Sequence, residues 1–286
     1  YQRLEHSLNL DDPPVWYGEL YFEYHRGTLT SIGKNKKANR QSEFFLQTIE
    51  KLYSCYGLAI YPQELETLWK KLLLNQFHDI LPGSSIKEVY QETDQDYQLI
   101  TNKGNALIQQ LTDFLAEQNK DRLLSLKGQE YLTVYNPLGI KRDAIICFAT
   151  EKQSKDAKFQ QRTHGGQLLV KLPHMASLSN QIVQLVENTK KAQVVQPIQK
   201  EFETTDFIVK FNRSFEIISL YDKRYQREIL PEGTILNQLI AYEDLPMNYD
   251  AWDIDIYYDK KAYFVNQLSE AKLVEKGPIR DTIKVI

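Results

Sequence analysis

The sequence has few cysteines, no long apolar run and no excess of positive charge. Its two cysteines, Cys55 and Cys147, fit buried thiols in a reduced compartment better than a disulfide framework, so the cytoplasm is the default location. No window approaches about 18 uninterrupted apolar residues, and the first residues lack an apolar core like that of a signal peptide, so we expect no membrane partner. The formal net charge of −3 argues against a nucleic-acid binder, which would carry a basic stripe.

The composition is that of an ordinary globular protein. The 286 residues are 42% apolar and 26% charged, enough for a sizeable core in two domains or in one large domain. The sequence opens on Tyr1 rather than Met and stops at Ile286, within a strand-like run. We therefore expect a piece of a larger protein.

Three segments have the apolar spacing of helices. The first runs from about Asn39 to near Gly57. The second begins at Pro62, a residue that suits a first helical turn. The third begins with a capping-box pattern at Ser85, ends near residue 119, and contains Gly104, which indicates a close packing contact. Because short turns join the three segments, the pattern predicts an antiparallel three-helix bundle.

Short β-rich runs follow the helical part. They are 131–135, 144–149, 167–172, 181–186, 207–211 and 215–221. Turn-forming and polar stretches separate these runs, which is typical of an antiparallel sandwich. A mostly polar stretch at Glu187–Gln199 predicts a seam between two sandwich domains.

The second helix leads into an adjacent histidine and aspartate, followed by Pro82 and Gly83, which cannot extend a helix. At about 100° per residue, the packing stripe of this helix contains Leu65, Leu68, Trp69, Leu72 and Gln76. On the same wheel His78 lies about 220° from Leu65, so its imidazole should point away from the bundle. The position fits either a structural histidine or a ligand for a metal or a polyhydroxyl substrate.

Two further segments leave alternatives open. The segment 16–27 is dense in rings, which suits either a buried hydrogen-bonded edge or the wall of a sugar site. The segment 249–256 alternates polar and apolar residues, which predicts a strand with Asp253 and Asp255 on one exposed face. The acidic pair Asp11 and Asp12 precedes two prolines and is interpreted as a solvated turn.

Four motifs together resemble those of glycoside hydrolase family 38, the α-mannosidases. They are NQFHDILPGSSI at 75–86, GELYFEYHRGT at 18–28, VYNPL at 134–138 and NYDAWDID at 248–255. Their order along the chain also fits, so the resemblance runs from about residue 10 to the end. It implies an α+β multidomain fragment with an antiparallel three-helix bundle followed by antiparallel β-sandwich domains.

The resemblance also implies domain boundaries. Residues 1–35 would be the end of an α/β catalytic domain and a linker, and 36–119 the bundle. Residues 120–195 would form a small β-sandwich, and 196–286 the start of a large supersandwich.

By resemblance the protein is a zinc-dependent retaining α-mannosidase that hydrolyses terminal α-D-mannosidic bonds. His78 would be a ligand of one zinc ion, and Asp79 would bind sugar hydroxyls. His25, Tyr249 and Trp252 are further candidate sugar contacts. None of the residues of this chain would be the nucleophile or the acid/base, which we expect upstream of residue 1 together with the other zinc ligands.

The expected partner is a mannose-containing oligosaccharide, and a homodimer is left open. The alternative function is a non-catalytic carbohydrate-binding or interaction module, which upstream sequence without catalytic acids would favour.

Overall fold

The computed structural model describes residues 15–18, 23–56, 63–118, 128–188 and 198–286. A short 3-10 helix, Glu23–Leu29, leads into three α-helices, α1 (Gly33–Cys55), α2 (Gln63–Asn75) and α3 (Lys87–Gln118). The helices pack against one another as the predicted antiparallel bundle. Their shared core is made of Leu46, Ile49, Leu52, Tyr53, Leu65, Leu68, Leu72, Tyr97, Ile100, Leu107, Leu111 and Leu115.

The first helix begins six residues earlier than the apolar spacing predicts. Its first turns bury Asn35, Asn39 and Ser42 instead of apolar side chains. Because a period search follows apolar residues only, this polar but buried part of α1 does not register as helix. These buried amides become important because they face the turn after α2.

The predicted close contact at Gly104 is confirmed. A Cβ atom built on Gly104 would collide with the ring of Phe45 and would lie 3.1 Å from Cδ1 of Ile49. The absence of a side chain therefore lets α1 and α3 approach each other closely at this level of the bundle.

A small sandwich of two three-stranded sheets follows the bundle. One sheet has the order β1-β6-β3 and the other the order β2-β5-β4, and all pairings are antiparallel. The strands are β1 (Glu130–Asn136), β2 (Arg142–Phe148), β3 (Gln153–Ser154), β4 (Gln160–Arg162), β5 (Leu168–Met175) and β6 (Ser179–Val186). The core between the sheets is centred on Val170 and Val183, with leucines and Met175 around them.

The last part of the chain contains a four-stranded sheet of order β10-β9-β8-β7 and two antiparallel strand pairs, β11 with β12 and β13 with β14. The strands are β7 (Glu201–Glu203), β8 (Phe207–Phe211), β9 (Ile217–Asp222), β10 (Arg227–Glu228), β11 (Ile240–Tyr242), β12 (Ala262–Phe264), β13 (Ala271–Glu275) and β14 (Thr282–Val285). The six predicted strands are all present, whereas the predicted strand at 249–256 is wrong. That segment forms consecutive turns, beginning at Tyr249 in a left-handed conformation (φ 53°).

Several expectations fall outside the described residues. They concern Asp11, Asp12, residues 19–22 and most of the predicted seam, and the three boundaries between the four predicted domains stay predictions. The expectation of buried thiols is wrong, because Cys55 and Cys147 are free and exposed. Among the described residues, no helix combines the length and apolarity that crossing a membrane requires.

Candidate functional site

His78 and Asp79 lie in the turn that follows α2, three and four residues beyond the last helical residue, Asn75. Both side chains are open to solvent, with 76% of the His78 side chain and 49% of the Asp79 side chain exposed. The His78 Nε2 atom is 3.6 Å from Oδ2 of Asp79, and the Phe77 ring lies 4.2 Å from the imidazole, centre to centre. The imidazole therefore points out of the bundle, as the helical wheel indicates.

The turn is compact because its own backbone and the neighbouring helices bind its polar groups. The N–H groups of Ile80 and Leu81 donate to the Phe77 carbonyl at 2.9 and 3.0 Å. The Ile80 carbonyl accepts from Nδ2 of Asn35 and from the Tyr90 hydroxyl, each at 3.1 Å. The turn that carries His78 and Asp79 is therefore held by both α1 and α3.

The candidate sugar contacts His25 and Trp252 meet, although 227 positions separate them in the sequence. Their ring centres are 5.0 Å apart at an angle of 59°. The Gly27 N–H donates to the Trp252 carbonyl at 2.7 Å, and the Ser31 hydroxyl donates to the Ala251 carbonyl at 2.8 Å. A Cβ atom on Gly27 would lie 3.0 Å from the Trp252 backbone, so any other residue there would push the two segments slightly apart.

The segment 25–31, which contacts Trp252, also contacts the turn after α2. The buried Gly83 has φ 95°, and a Cβ atom there would lie 2.7 Å from the Ser31 carbonyl oxygen. Ser31 thus lies against Gly83 on one side and hydrogen-bonds to Ala251 on the other. Three stretches singled out in the sequence, around residues 25, 78 and 252, are joined through this one serine.

Tyr249 is placed differently from the other aromatic candidates. Its side chain is exposed, at 71%, while its carbonyl accepts the N–H groups of Trp252 and Asp253 at 2.7 and 2.9 Å. The backbone of Tyr249 therefore shapes the turn that presents Trp252.

Asp253 is a residue that the sequence reasoning misassigned. It was expected on an exposed acidic face, but it is only 9% exposed. Its Oδ1 atom is buried and has no hydrogen-bond partner within the described part of the chain. Asp255, by contrast, is half-buried and accepts the Met247 N–H at 2.8 Å. The predicted strand placed both acids on one exposed face, so it did not predict that Asp253 is more buried than Asp255.

A complete metal site is not present in the described ranges, since no cluster there contains three or more His, Cys, Asp or Glu side chains. An exposed imidazole beside a carboxylate nevertheless matches the nitrogen and oxygen donors that zinc accepts. His78 thus fits as one member of a zinc donor set with a carboxylate beside it, and the rest of that set would come from other residues of the protein.

A cavity of about 330 Å³ lies in the small sandwich, between β5, β6 and the 154–159 segment. None of His25, His78, Asp79, Tyr249 and Trp252 lines it. The candidate site is therefore separate from this cavity, and its His78 and Asp79 side chains are open to solvent.

Comparisons with known proteins agree with this architecture. The Alpha mannosidase middle domain model matches residues 23–115, and the Glycosyl hydrolases family 38 C-terminal domain model matches residues 202–286. Alpha-mannosidase 2C1 of Homo sapiens is 30% identical over 93% of this chain, and Alpha-mannosidase G of Dictyostelium discoideum is 28% identical over 94%. The chain covers 25% and 28% of these two relatives.

A solved α-mannosidase structure from Enterococcus faecalis V583 superposes with a TM-score of 0.64 at 15% identity. The match covers 92% of this chain and 36% of that structure, and at such low identity it shows the shared fold. The two family models, the relatives and the fold lead to one assignment: the chain belongs to glycoside hydrolase family 38, the α-mannosidases.

Proposed function

We propose that this chain is part of a zinc-dependent, retaining α-mannosidase that hydrolyses terminal α-D-mannosidic bonds of mannose-containing glycans. The observation that carries the proposal is the exposed His78 and Asp79 turn, joined through Ser31 to the His25 and Trp252 pair. The names of the relatives and family membership supply the reaction class.

In this proposal the His78 imidazole is one zinc ligand, and Asp79 accepts hydrogen bonds from sugar hydroxyls. When bound, zinc would act as a Lewis acid on vicinal hydroxyls of the sugar. His78 suits this role because its ring is exposed and its Nε2 atom lies beyond hydrogen-bond distance from Asp79. The carboxylate beside it adds negative charge that favours a cation.

The remaining chemistry belongs to residues outside this chain. A retaining glycosidase uses two carboxyl groups about 5–5.5 Å apart, one as nucleophile and one as acid and then base. We propose that both, and the other zinc ligands, precede residue 1. This chain would provide the opposite wall, with Trp252 and His25 against the C–H surface of the sugar and Tyr249 at its rim.

The cytoplasmic location also remains a proposal. It is supported by the two free and exposed thiols, which a reducing compartment preserves. The homodimer stays a prediction.

The experiment compares His78→Ala with His174→Ala in the full-length protein. The two histidines are matched, because the His174 side chain is 75% exposed and its Nδ1 atom is 3.5 Å from Oδ1 of Asp143. We expect His78→Ala to lose bound zinc and to hydrolyse an aryl α-mannoside at least about 100-fold more slowly, because even residues that only support a metal ligand are worth 10- to 100-fold. His174→Ala should retain both properties.

Unchanged zinc content and rate in His78→Ala would refute the assignment. A full-length wild-type protein that binds mannosides without hydrolysing them would instead support the carbohydrate-binding module.

A further inference from the structure

Lys36 makes an unusual set of contacts beside the candidate site. It lies in the first turn of α1, and its Nζ atom donates to three backbone carbonyls, those of Ser31 at 2.6 Å, Leu81 at 3.0 Å and Pro82 at 2.9 Å. An ammonium group has three N–H donors, so all of them are used. Within the described part of the chain, no carboxylate forms an ion pair with Lys36, so its hydrogen bonds join backbone segments rather than balance a charge.

Two of the three carbonyls, those of Leu81 and Pro82, lie beyond the end of α2, where the helix no longer satisfies backbone groups. Asn35 binds the Ile80 carbonyl, so Asn35 and Lys36 together hold three consecutive carbonyls, at residues 80, 81 and 82. The N–H groups of Ile80 and Leu81 return to the Phe77 carbonyl. Fixing residues 80–82 therefore fixes the short turn that carries His78 and Asp79.

The third carbonyl connects the turn to the other half of the candidate site. Lys36 binds the carbonyl of Ser31, whose hydroxyl donates to the Ala251 carbonyl beside Trp252. One ammonium group thus joins the turn after α2 to the segment that contacts Trp252.

We propose that Lys36 is a positioning residue, whose ammonium group holds the His78 and Asp79 turn in register with the Trp252 segment and thereby sets the metal affinity of His78. The part of this inference that concerns metal rests on the proposed function. Burial lowers the pKa of the Lys36 ammonium from its ordinary value, which agrees with a partly dehydrated group used for hydrogen bonding.

The test compares Lys36→Met with Lys34→Met in the full-length protein. Methionine keeps an unbranched stem and removes the three donors. Lys34, two residues earlier on α1, carries the same charge, but its Nζ atom binds Oδ2 of Asp94 on α3 at 2.6 Å. The control therefore removes an equal charge from the same helix turn without touching residues 80–82.

Two measurements separate positioning from general stability. We expect amide hydrogen exchange in a peptide that covers residues 77–83 to become at least 10-fold faster in Lys36→Met, while exchange in the middle of α1 and α3 is unchanged. Zinc affinity, measured by competition with a chromogenic chelator, should fall 10- to 100-fold, the range found for residues that support a ligand. Lys34→Met should alter neither measurement.

Unchanged exchange at 77–83 in Lys36→Met would overturn the inference. Faster exchange with unaltered zinc affinity would overturn it as well, because Lys36 would then only stabilise the turn. If Lys36→Met does not fold, Lys36→Gln keeps an amide donor on a shorter stem, and intermediate effects on exchange and affinity would support the inference. Failure of the proposed function would be seen in a different variant, as unchanged zinc content in His78→Ala.

Discussion

At the scale of single residues, Asp253 is a side chain next to Trp252 whose burial is not fully compensated by hydrogen bonds. Its Oδ1 atom has no hydrogen-bond partner in the described residues, although the residue is nine-tenths buried. Leaving a buried polar group without a partner costs about 1–3 kcal/mol, and more when the group is charged. A residue that weakens the fold beside Trp252 is a candidate for binding, because sugar hydroxyls can donate to a carboxylate.

Asp253→Ala should therefore separate stability from activity. We expect the full-length variant to keep or raise its thermal midpoint, because about 1 kcal/mol of uncompensated burial is removed. Its kcat/KM for an aryl α-mannoside should fall at least about 10-fold, the equivalent of one hydrogen bond of about 1.4 kcal/mol.

Asp255→Ala is the control for this prediction. It removes the acceptor of the Met247 N–H, so it should lower the thermal midpoint slightly and leave kcat/KM unchanged. A less stable Asp253→Ala protein with normal kcat/KM would show that the carboxylate supports the fold through a contact outside the described residues.

At the scale of elements, the bundle follows from the apolar periods, whereas the site does not. The stripe of Leu65, Leu68 and Leu72 is fully buried, as a period of 3.6 residues predicts. The turn after α2 depends instead on Asn35, Lys36 and Tyr90, which lie on the other two helices and bind the carbonyls of residues 80–82. Such hydrogen bonds between distant residues leave no period in the sequence.

The segment 249–256 shows the same limit for strands. Its alternation of polar and apolar residues satisfies the strand pattern, but Tyr249 has a positive φ, which a strand does not contain. The Trp252 carbonyl accepts the Gly27 N–H instead of pairing with a neighbouring strand. Residue types at 25, 78, 79, 249 and 252 could be singled out by resemblance. The role of Ser31 could not be predicted, because its hydrogen bond to Ala251 joins residues 220 positions apart. The burial of Asp253 could not be predicted either, because turns replace the strand that the alternation indicates.

Gly83 connects element geometry to the site, and its replacement tests that connection. Gly83→Ala would have to keep a positive φ, which costs about 1–2 kcal/mol, and would press Cβ against Ser31 at 2.7 Å. Overpacking adds about 1–3 kcal/mol. We expect a lower thermal midpoint and, because Ser31 must move, loss of zinc.

Gly166→Ala is a matched control for Gly83→Ala. Gly166 also has a positive φ, of 81°, but a Cβ atom there meets nothing within 4 Å. The Gly166→Ala variant should therefore lose only the stability that a positive φ costs an alanine, and it should retain its zinc. Equal effects of the two substitutions would mean that the contact with Ser31 contributes nothing.

At the scale of the whole molecule, the small sandwich and the last strand pair are held together by two polar side chains. Gln161 on β4 accepts the N–H groups of Ile279 and Arg280 and donates to the Arg280 carbonyl. Glu275 at the end of β13 accepts the His164 N–H at 2.7 Å and pairs with the Arg280 guanidinium. Contacts between residues more than 100 positions apart thus fix the relative placement of these two β regions.

Glu275 should make this junction sensitive to acid. The Arg280 hydrogen bonds, with those from His164 and Thr282, lower the pKa of the buried Glu275 carboxyl from 4.5 to about 2. Because the unfolded state binds the proton more readily, this stabilisation of at most about 3 kcal/mol is complete above pH 4.5 and is lost as the pH falls towards 2. We expect Glu275→Gln to lower the thermal midpoint at pH 6 and to have less effect near pH 3, measured by calorimetry on the full-length protein.

Glu203→Gln is the control. It removes an exposed carboxylate whose ion pair with Lys223 is screened by solvent, so the thermal midpoint of this variant should stay near that of the wild type at both pH values. An equal loss for Glu275→Gln at both pH values would mean that the charge of Glu275 does not hold the junction.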